Sequence, residues 1–298
     1  MSWLALDVGG TNMRAAIVSD DGVVGERVDR DTERDSGALV ELAREVLEGD
    51  SVDGAVIGLP GRIDYGAGTL EYAPNIDASW RETLTEATLS EALGGVPCAL
   101  ANDADLAAVG EAWFGAGRSY RDVAYLTIST GIGAGVVTGG LLVHGRRSVA
   151  EVGHTIVDGQ RLAEGRKATV EALGSGTALT ELAREADIAE DGPALVELVR
   201  AGDATATRIF ERVAFAAAMG AVNLAHLFTP EVIVVGGGLG LVGDLILEPI
   251  RTMVSERGPR AMPEPICVCN AELGDAAGLT GAAAWHRAFK PQAASRAR

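Results

Sequence analysis

A chain of 298 residues suits one large domain or two of ordinary size, and 47% hydrophobic residues supply a substantial core. Its 25 basic and 42 acidic residues leave a formal charge of −17, which argues against non-specific binding of nucleic acid or an anionic membrane. Three cysteines (Cys98, Cys267, Cys269) make no disulfide framework, and no stretch approaches the ~20 apolar residues of a membrane span. A soluble, cytoplasmic protein is expected.

The first element sets the pattern. Leu4-Ala5-Leu6-Asp7-Val8 is an apolar strand, Gly9-Gly10-Thr11 reverses it, and Ala15-Ala16-Ile17-Val18 leaves as a second strand. Adjacent glycines permit positive φ and let backbone N–H groups approach a bulky ligand. Such N–H groups beside the Thr11 hydroxyl suit phosphate oxygens, and the Asp7 carboxylate suits hydrated Mg²⁺. A plain β-hairpin would read the same way. A meander is expected to continue over Gly22–Val28, then an amphipathic helix over Ser36–Leu47, with apolar residues recurring at three and four.

Gly54–Leu59 reads as a short buried strand running into Pro60-Gly61-Arg62, either an ordinary tight turn or a loop delivered to a site at the sheet's carboxyl edge. Pro97–Asn102 reads as another strand, giving way at Asp103 to a helix with Leu106, Ala107, Val109, Gly110 and Trp113 on one side. Asp103 falls in that helix's first turn, where an acidic cap is common for structural reasons and where the dipole also favours an ionised carboxylate. Asp105 points about 200° away on the helix, so the two are not a pair, and a structural role is expected for it.

Gly115-Ala116-Gly117-Arg118-Ser119 is the expected domain boundary and hinge. A second glycine-rich hairpin follows, Ala124–Ile128 turning through Ser129-Thr130-Gly131-Ile132-Gly133, which suggests an internal duplication holding a phosphate between halves. Glu151 and His154, three residues apart, face the same way in a turn or helix, so two polar groups converge there. Ala204–Phe228 is expected as a long helix, apolar nearly all round and therefore buried, with His226 packed in the core. Glu231–Val235 is then a buried strand ending in Gly236-Gly237-Gly238. An alanine-rich last helix follows Gly274–Gly281, and residues 290–298 read as a frayed tail.

Asp7-x-Gly9-Gly10-Thr11-x-x-Arg14, Gly58-Leu59-Pro60-Gly61-Arg62-Ile63-Asp64, Asn102-Asp103-Ala104-Asp105 and Glu151-Val152-Gly153-His154 occur in that order. Together they resemble bacterial sugar kinases of the ROK family, within the hexokinase/actin-like ATPase superfamily, from Asp7 to about Gly281. The resemblance implies a two-lobed α/β protein of ribonuclease-H-like type with a duplicated βββαβα core, ATP and sugar meeting in the cleft. The lobes are expected at residues 1–116 and 117–298, with the last helix able to pack back on the small lobe.

The implied activity is transfer of the γ-phosphoryl group of Mg-ATP to O6 of a hexose, glucose first. The alternatives are an N-acetylmannosamine or N-acetylglucosamine kinase and, outside catalysis, a sugar sensor. The family's sugar-responsive repressors carry a helix-turn-helix ahead of the first hairpin, and Asp7 stands too near the start for one. The resemblance implies Asp103 as base and Asp7 holding Mg²⁺ through water. It implies Gly9, Gly10, Thr11, Thr130, Gly131 and Gly133 around the phosphates and Gly236, Gly237 and Gly238 against adenosine. Gly61, Arg62, Asn75, Asn102, Glu151, His154 and Glu171 are implied at the sugar. A homo-oligomer, dimer or tetramer, is also implied, with no nucleic-acid or membrane partner.

One departure from the family pattern stands out. Many ROK kinases carry a cysteine-rich zinc loop shortly after the histidine, whereas Leu162–Glu171 here has no cysteine. No zinc is therefore expected, and Glu171 falls where the family's last glutamate would stand.

Overall fold

The computed structural model describes residues 1–73, 76–260 and 262–290, so Asn75 and the tail beyond Lys290 lie outside the described residues. In chain order the elements begin β1 (Ser2–Val8), β2 (Asn12–Ser19), β3 (Val28–Asp31), α1 (Gly37–Leu47), β4 (Gly54–Leu59), β5 (Arg62–Asp64) and β6 (Thr69–Tyr72). They continue α2 (Trp80–Thr83), α3 (Glu86–Ala92), β7 (Cys98–Asn102), α4 (Asp103–Trp113), β8 (Asp122–Ile128), β9 (Ile132–Thr138) and β10 (Leu141–Leu142). After a 3-10 turn at Val152–His154 come α5 (Gly159–Ala163), α6 (Val170–Gly174), α7 (Gly176–Glu185), α8 (Gly192–Arg200) and α9 (Ala204–Phe228). The chain closes with β11 (Val232–Gly236), α10 (Asp244–Arg257), β12 (Cys267–Asn270) and α11 (Ala277–Ala288).

Two five-stranded sheets carry this α/β fold, ordered β3-β2-β1-β4-β7 and β10-β9-β8-β11-β12. Counted within each sheet, both orders read third, second, first, fourth, fifth. Contacts group the chain into two units: Met1–Arg121, Gly135–Val149 and the chain from Asp275; and Asp122–Ala134 with Ala150–Gly274.

In the first unit the apolar run of β1 becomes a central strand with Leu4, Ala5 and Leu6 all buried, antiparallel to β2 and parallel to β4. Strand β4 is buried at every residue, as expected of a parallel strand covered on both faces. Helices α4 and α11 pack together, α11 also lying on β1. Their approach is close because a Cβ on Gly110 would collide with the carbonyl oxygen of Ala277, and one on Gly281 with that of Leu106. In the second unit β11 is likewise buried throughout and parallel to β8 and β12, while α9 packs against α6, α8 and α10.

Three expectations are corrected. The third strand forms at Val28–Asp31 rather than over 22–28, where Gly22 instead turns with φ +82° and only Val24 bridges back to Val18. Helix α9 has the expected bounds but is not buried all round, since Phe215 is 56% and Leu227 67% exposed. His226 is exposed rather than packed in the core, its Nε2 donating to the carbonyl oxygen of Arg257 at 2.8 Å. No helix among the described residues is long and apolar enough to cross a membrane.

Candidate active site

Strand register builds a candidate edge within the first unit. Along the parallel strands Asp7 pairs with Gly58, Gly58 with Ala101, and Leu59 with Asn102, so three strands end at one carboxyl edge. Loops at such an edge are where open α/β sheets place ligands. Asp7, the Pro60-Gly61-Arg62 loop and Asp103 all stand there.

Asp7 lies opposite Arg14 in the β1–β2 register, their charged groups 3.8 Å apart. Burial raises the Asp7 carboxyl above the usual range, and the Arg14 guanidinium opposes that shift. Its surroundings are small by necessity, since a Cβ on Gly278 would stand 3.2 Å from the Asp7 carboxyl carbon. A single hard carboxylate oxygen donor with a tight lining fits a hydrated Mg²⁺ held through water.

The first hairpin is closed by Gly9 N–H donating to the Asn12 carbonyl at 2.8 Å, and Gly9 does this without positive φ. Thr32, which sequence reading missed, fastens the turn from β3. Its N–H donates to the Thr11 carbonyl at 2.7 Å and its hydroxyl to the Gly9 carbonyl at 2.7 Å. Gly10 and the Thr11 residue are left exposed.

Gly61 does need its lack of a side chain. Its φ is +105°, and a Cβ there would collide with the carbonyl oxygen of Tyr72. Arg62 beside it is exposed. Asn102, not Asp103, is the N-cap of α4. Its Oδ1 accepts from Ala104 and Asp105 N–H groups, both at 3.0 Å, while Nδ2 donates to the Gly61 carbonyl at 2.9 Å. The cap and the sugar-loop candidate are thus one hydrogen-bonded unit. Asp103 follows as the first helical residue, half-buried, its Oδ1 accepting the Ala104 N–H at 2.9 Å. Asp105 is fully buried and accepts the Tyr65 hydroxyl at 2.7 Å, in keeping with its structural reading.

The second unit repeats the edge. Gly236 pairs with Thr127 across parallel β11 and β8, bringing the Ser129–Gly133 turn and the Gly236–Gly238 turn to the same carboxyl edge. Thr130 is exposed while its carbonyl accepts the Thr177 hydroxyl at 2.8 Å, and Gly176 N–H donates to the Ser129 carbonyl at 2.7 Å, so the start of α7 braces the turn. Glu171 stands in the first turn of α6, capped by Thr169, and its Oε2 accepts the Ile132 N–H at 2.9 Å. That oxygen fills the space a Cβ on Gly131 would need, so Gly131 is a close approach rather than a positive-φ turn. Gly133 lies just beyond it in β9.

Glu151 caps the 3-10 turn and His154 ends it, both exposed, with His154 Nε2 3.8 Å from Glu151 Oε2. They do converge as the spacing predicts. Of the glycines that end β11 and follow it, Gly237 has φ +82° and would place a Cβ 2.6 Å from the Ile128 carbonyl oxygen, whereas Gly238 has nothing within 4 Å. The free backbone face is therefore at Gly238.

The cysteine-free loop is closed by hydrogen bonds to backbone carbonyls. Val157 N–H donates to the Ala168 carbonyl and Val170 N–H to the Thr155 carbonyl, both at 2.9 Å, and Arg161 Nε donates to the Lys167 carbonyl at 2.9 Å.

The sequence model of the ROK family matches residues 3–288. A glucokinase from Thermotoga maritima is 32% identical over 94% of this chain and 95% of its own. An N-acetylmannosamine kinase from Yersinia pseudotuberculosis is 29% identical over 96% of this chain and 98% of its own. Among solved structures, a ROK family glucokinase from Streptomyces griseus in complex with glucose and AMPPNP superposes with a TM-score of 0.79 at 32% identity, covering 95% of this chain and 98% of that one. With its motifs in order on two matching sheet edges and the family match spanning nearly the whole sequence, the chain belongs to the ROK family.

Proposed function

We propose that this chain is an ATP-dependent hexose kinase that transfers the γ-phosphoryl group of ATP to O6 of glucose. One observation carries the reading: strand register sets Asp7 and Asp103, a phosphate-hairpin carboxylate and a helix-N-terminal carboxylate, on one sheet edge. Its glucokinase relatives support the same substrate.

Phosphoryl transfer of this kind asks the protein for positioning and charge neutralisation rather than covalent chemistry. Asp103 accepts the proton of the attacking hydroxyl, its ionised form favoured by the α4 dipole. Mg²⁺, held through water by Asp7, would neutralise charge on the phosphate oxygens. Backbone N–H groups of Gly9, Gly10, Gly131 and Gly133, with the Thr11 and Thr130 hydroxyls, take the phosphates, and the open backbone at Gly238 takes the adenosine. Gly61, Arg62, Asn75, Asn102, Glu151, His154 and Glu171 orient the sugar, Asn102 through the cap that ties Gly61. The matching strand orders of the two sheets support a duplicated βββαβα core. Lobes of residues 1–116 and 117–298, a homo-oligomer and a cytoplasmic setting belong to the same proposal.

The test is coupled ADP release with Mg-ATP across glucose, mannose, fructose, allose, N-acetylglucosamine and N-acetylmannosamine. Turnover with glucose well above the rest supports the proposal. Preference for N-acetylmannosamine would move the protein to the second reading, which the Yersinia relative supports. Silence on every sugar would sink both.

A further inference from the structure

We propose that Tyr65 is a positioning residue for Asp103, acting through hydrogen bonds to Asn102, just before it, and Asp105, two residues after it. This rests on the kinase reading above, in which Asp103 is the base.

Tyr65 follows β5 and is fixed before its hydroxyl is considered. Its N–H donates to the Arg146 carbonyl at 2.9 Å. Its ring meets Phe289 edge-on at 5.1 Å and His144 edge-on at 5.6 Å, with Trp285 at 6.1 Å. A ring wedged among three others has little rotameric freedom, so the hydroxyl is aimed. It donates to Asp105 Oδ2 at 2.7 Å and accepts the Asn102 N–H at 3.2 Å. Burial, and after it the Asp105 carboxylate, push the phenol well above the usual tyrosine range, so it stays a donor throughout the working pH range.

These two bonds constrain different coordinates of the same turn. The bond from Asn102 N–H fixes where β7 ends and α4 begins. The bond to Asp105 fixes the rotation of α4 about its axis. Successive helical residues are ~100° apart, so pinning Asp105 inward turns Asp103, two residues earlier, about 200° away toward the edge. Asp105 is 0% exposed and Asp103 half-buried, as that rotation requires. Asn102 Nδ2 extends the same network to the Gly61 carbonyl at 2.9 Å. A phenylalanine would fill the ring's space without placing a hydroxyl in a buried site. The hydroxyl therefore has a use beyond packing.

The experiment compares wild type, Tyr65→Phe, Asp105→Asn and the double variant. It measures kcat and KM for glucose and ATP, together with glucose binding by calorimetry. Tyr65→Phe keeps the ring and should lower kcat roughly 10- to 100-fold, the range for a displaced reacting group. Glucose affinity and KM should change less than kcat, because Tyr65 supplies no sugar contact of its own and the Asn102 side chain keeps its bonds to Gly61 and the α4 N–H groups. The double variant should be no slower than Tyr65→Phe alone, since the one bond that Asp105→Asn weakens is already lost in it. A merely structural tyrosine would lower thermal stability without that split between kcat and KM.

A folded Tyr65→Phe with wild-type kcat, or single effects that multiply in the double variant, overturns the proposal. If Tyr65→Phe does not fold, Asp105→Asn is read alone: it weakens the bond that sets the rotation of α4, so it should lower kcat more than it raises KM for glucose, and wild-type turnover in the folded variant overturns the proposal. Wild type silent on every sugar fails the kinase reading and this proposal with it. Active wild type with indifferent variants fails this proposal alone.

Discussion

Glu171 Oε2 accepts the backbone N–H of Ile132 at 2.9 Å, joining the first turn of α6 to the glycine-rich hairpin between β8 and β9. A residue that the family resemblance implies at the sugar thus also braces the phosphate turn. Glu171→Ala removes a charge-assisted acceptor from a partly buried N–H and should cost about 2 kcal/mol of stability. Glu171→Gln keeps an acceptor oxygen and should cost less than half of that. Thermal denaturation of the two variants checks the difference, and equal losses would deny the brace.

Two neighbouring glycines should behave in opposite ways. Gly237→Ala forces a Cβ to within 2.6 Å of the Ile128 carbonyl oxygen at φ +82°, so strain and overlap together should destabilise by about 2–4 kcal/mol. Gly238→Ala meets nothing within 4 Å and should leave stability within about 0.5 kcal/mol. If the Gly238 backbone lies against adenosine, Gly238→Ala should raise KM for ATP and leave KM for glucose alone. Melting curves and steady-state kinetics on both variants separate the fold from the ligand.

Asp64 gives a pH prediction with a fixed sign. Arg146 donates to its carboxylate through Nε at 2.8 Å and through Nη2, and Gly66 and Ala67 N–H groups donate to Oδ1. The Arg146 guanidinium, with those N–H groups behind it, holds the carboxyl below the usual range. A depressed folded-state pKa contributes stability that is fully present above the unfolded value, about 4, and is lost as pH falls through the folded one. Melting temperature followed from pH 6 toward pH 3 should therefore drop more steeply for wild type than for Asp64→Asn. Parallel curves would remove Asp64 from the acid response.

The two carboxyl edges are legible in the sequence because each combines a short apolar run with an abrupt glycine, threonine or acid, where the chain leaves the buried sheet. The start of α4 at Asp103 was legible for the same reason. What stayed hidden depends on pairs far apart in the chain. Tyr65 meets Asn102 and Asp105 across 37 and 40 residues, and Thr32 reaches Gly9 across 23, with no periodicity to announce either. The exposure of His226 and Phe215 on α9 escapes periodicity because a run rich in alanine has a weak polar face, which does not say which side meets water. Gly131 was read as a turn glycine, although its constraint is a side chain 40 positions on.

Asp103 offers the cleanest separation of structure from chemistry. An acidic residue in a first helical turn invites a capping explanation, yet the cap here is Asn102, whose Oδ1 already takes the Ala104 and Asp105 N–H groups. Asp103→Asn keeps the volume and an acceptor for the Ala104 N–H, losing only a charge favourable to the α4 dipole, about 0.3–1 kcal/mol. Its melting temperature and circular dichroism should therefore stay close to wild type. Its kcat should fall by roughly 10²–10⁴, the range for removing a general base. KM for glucose should move little, because the amide can still hydrogen-bond the hydroxyl it no longer deprotonates. Loss of stability without loss of kcat would return Asp103 to a structural role, and wild-type turnover in the variant would leave the base to be found elsewhere.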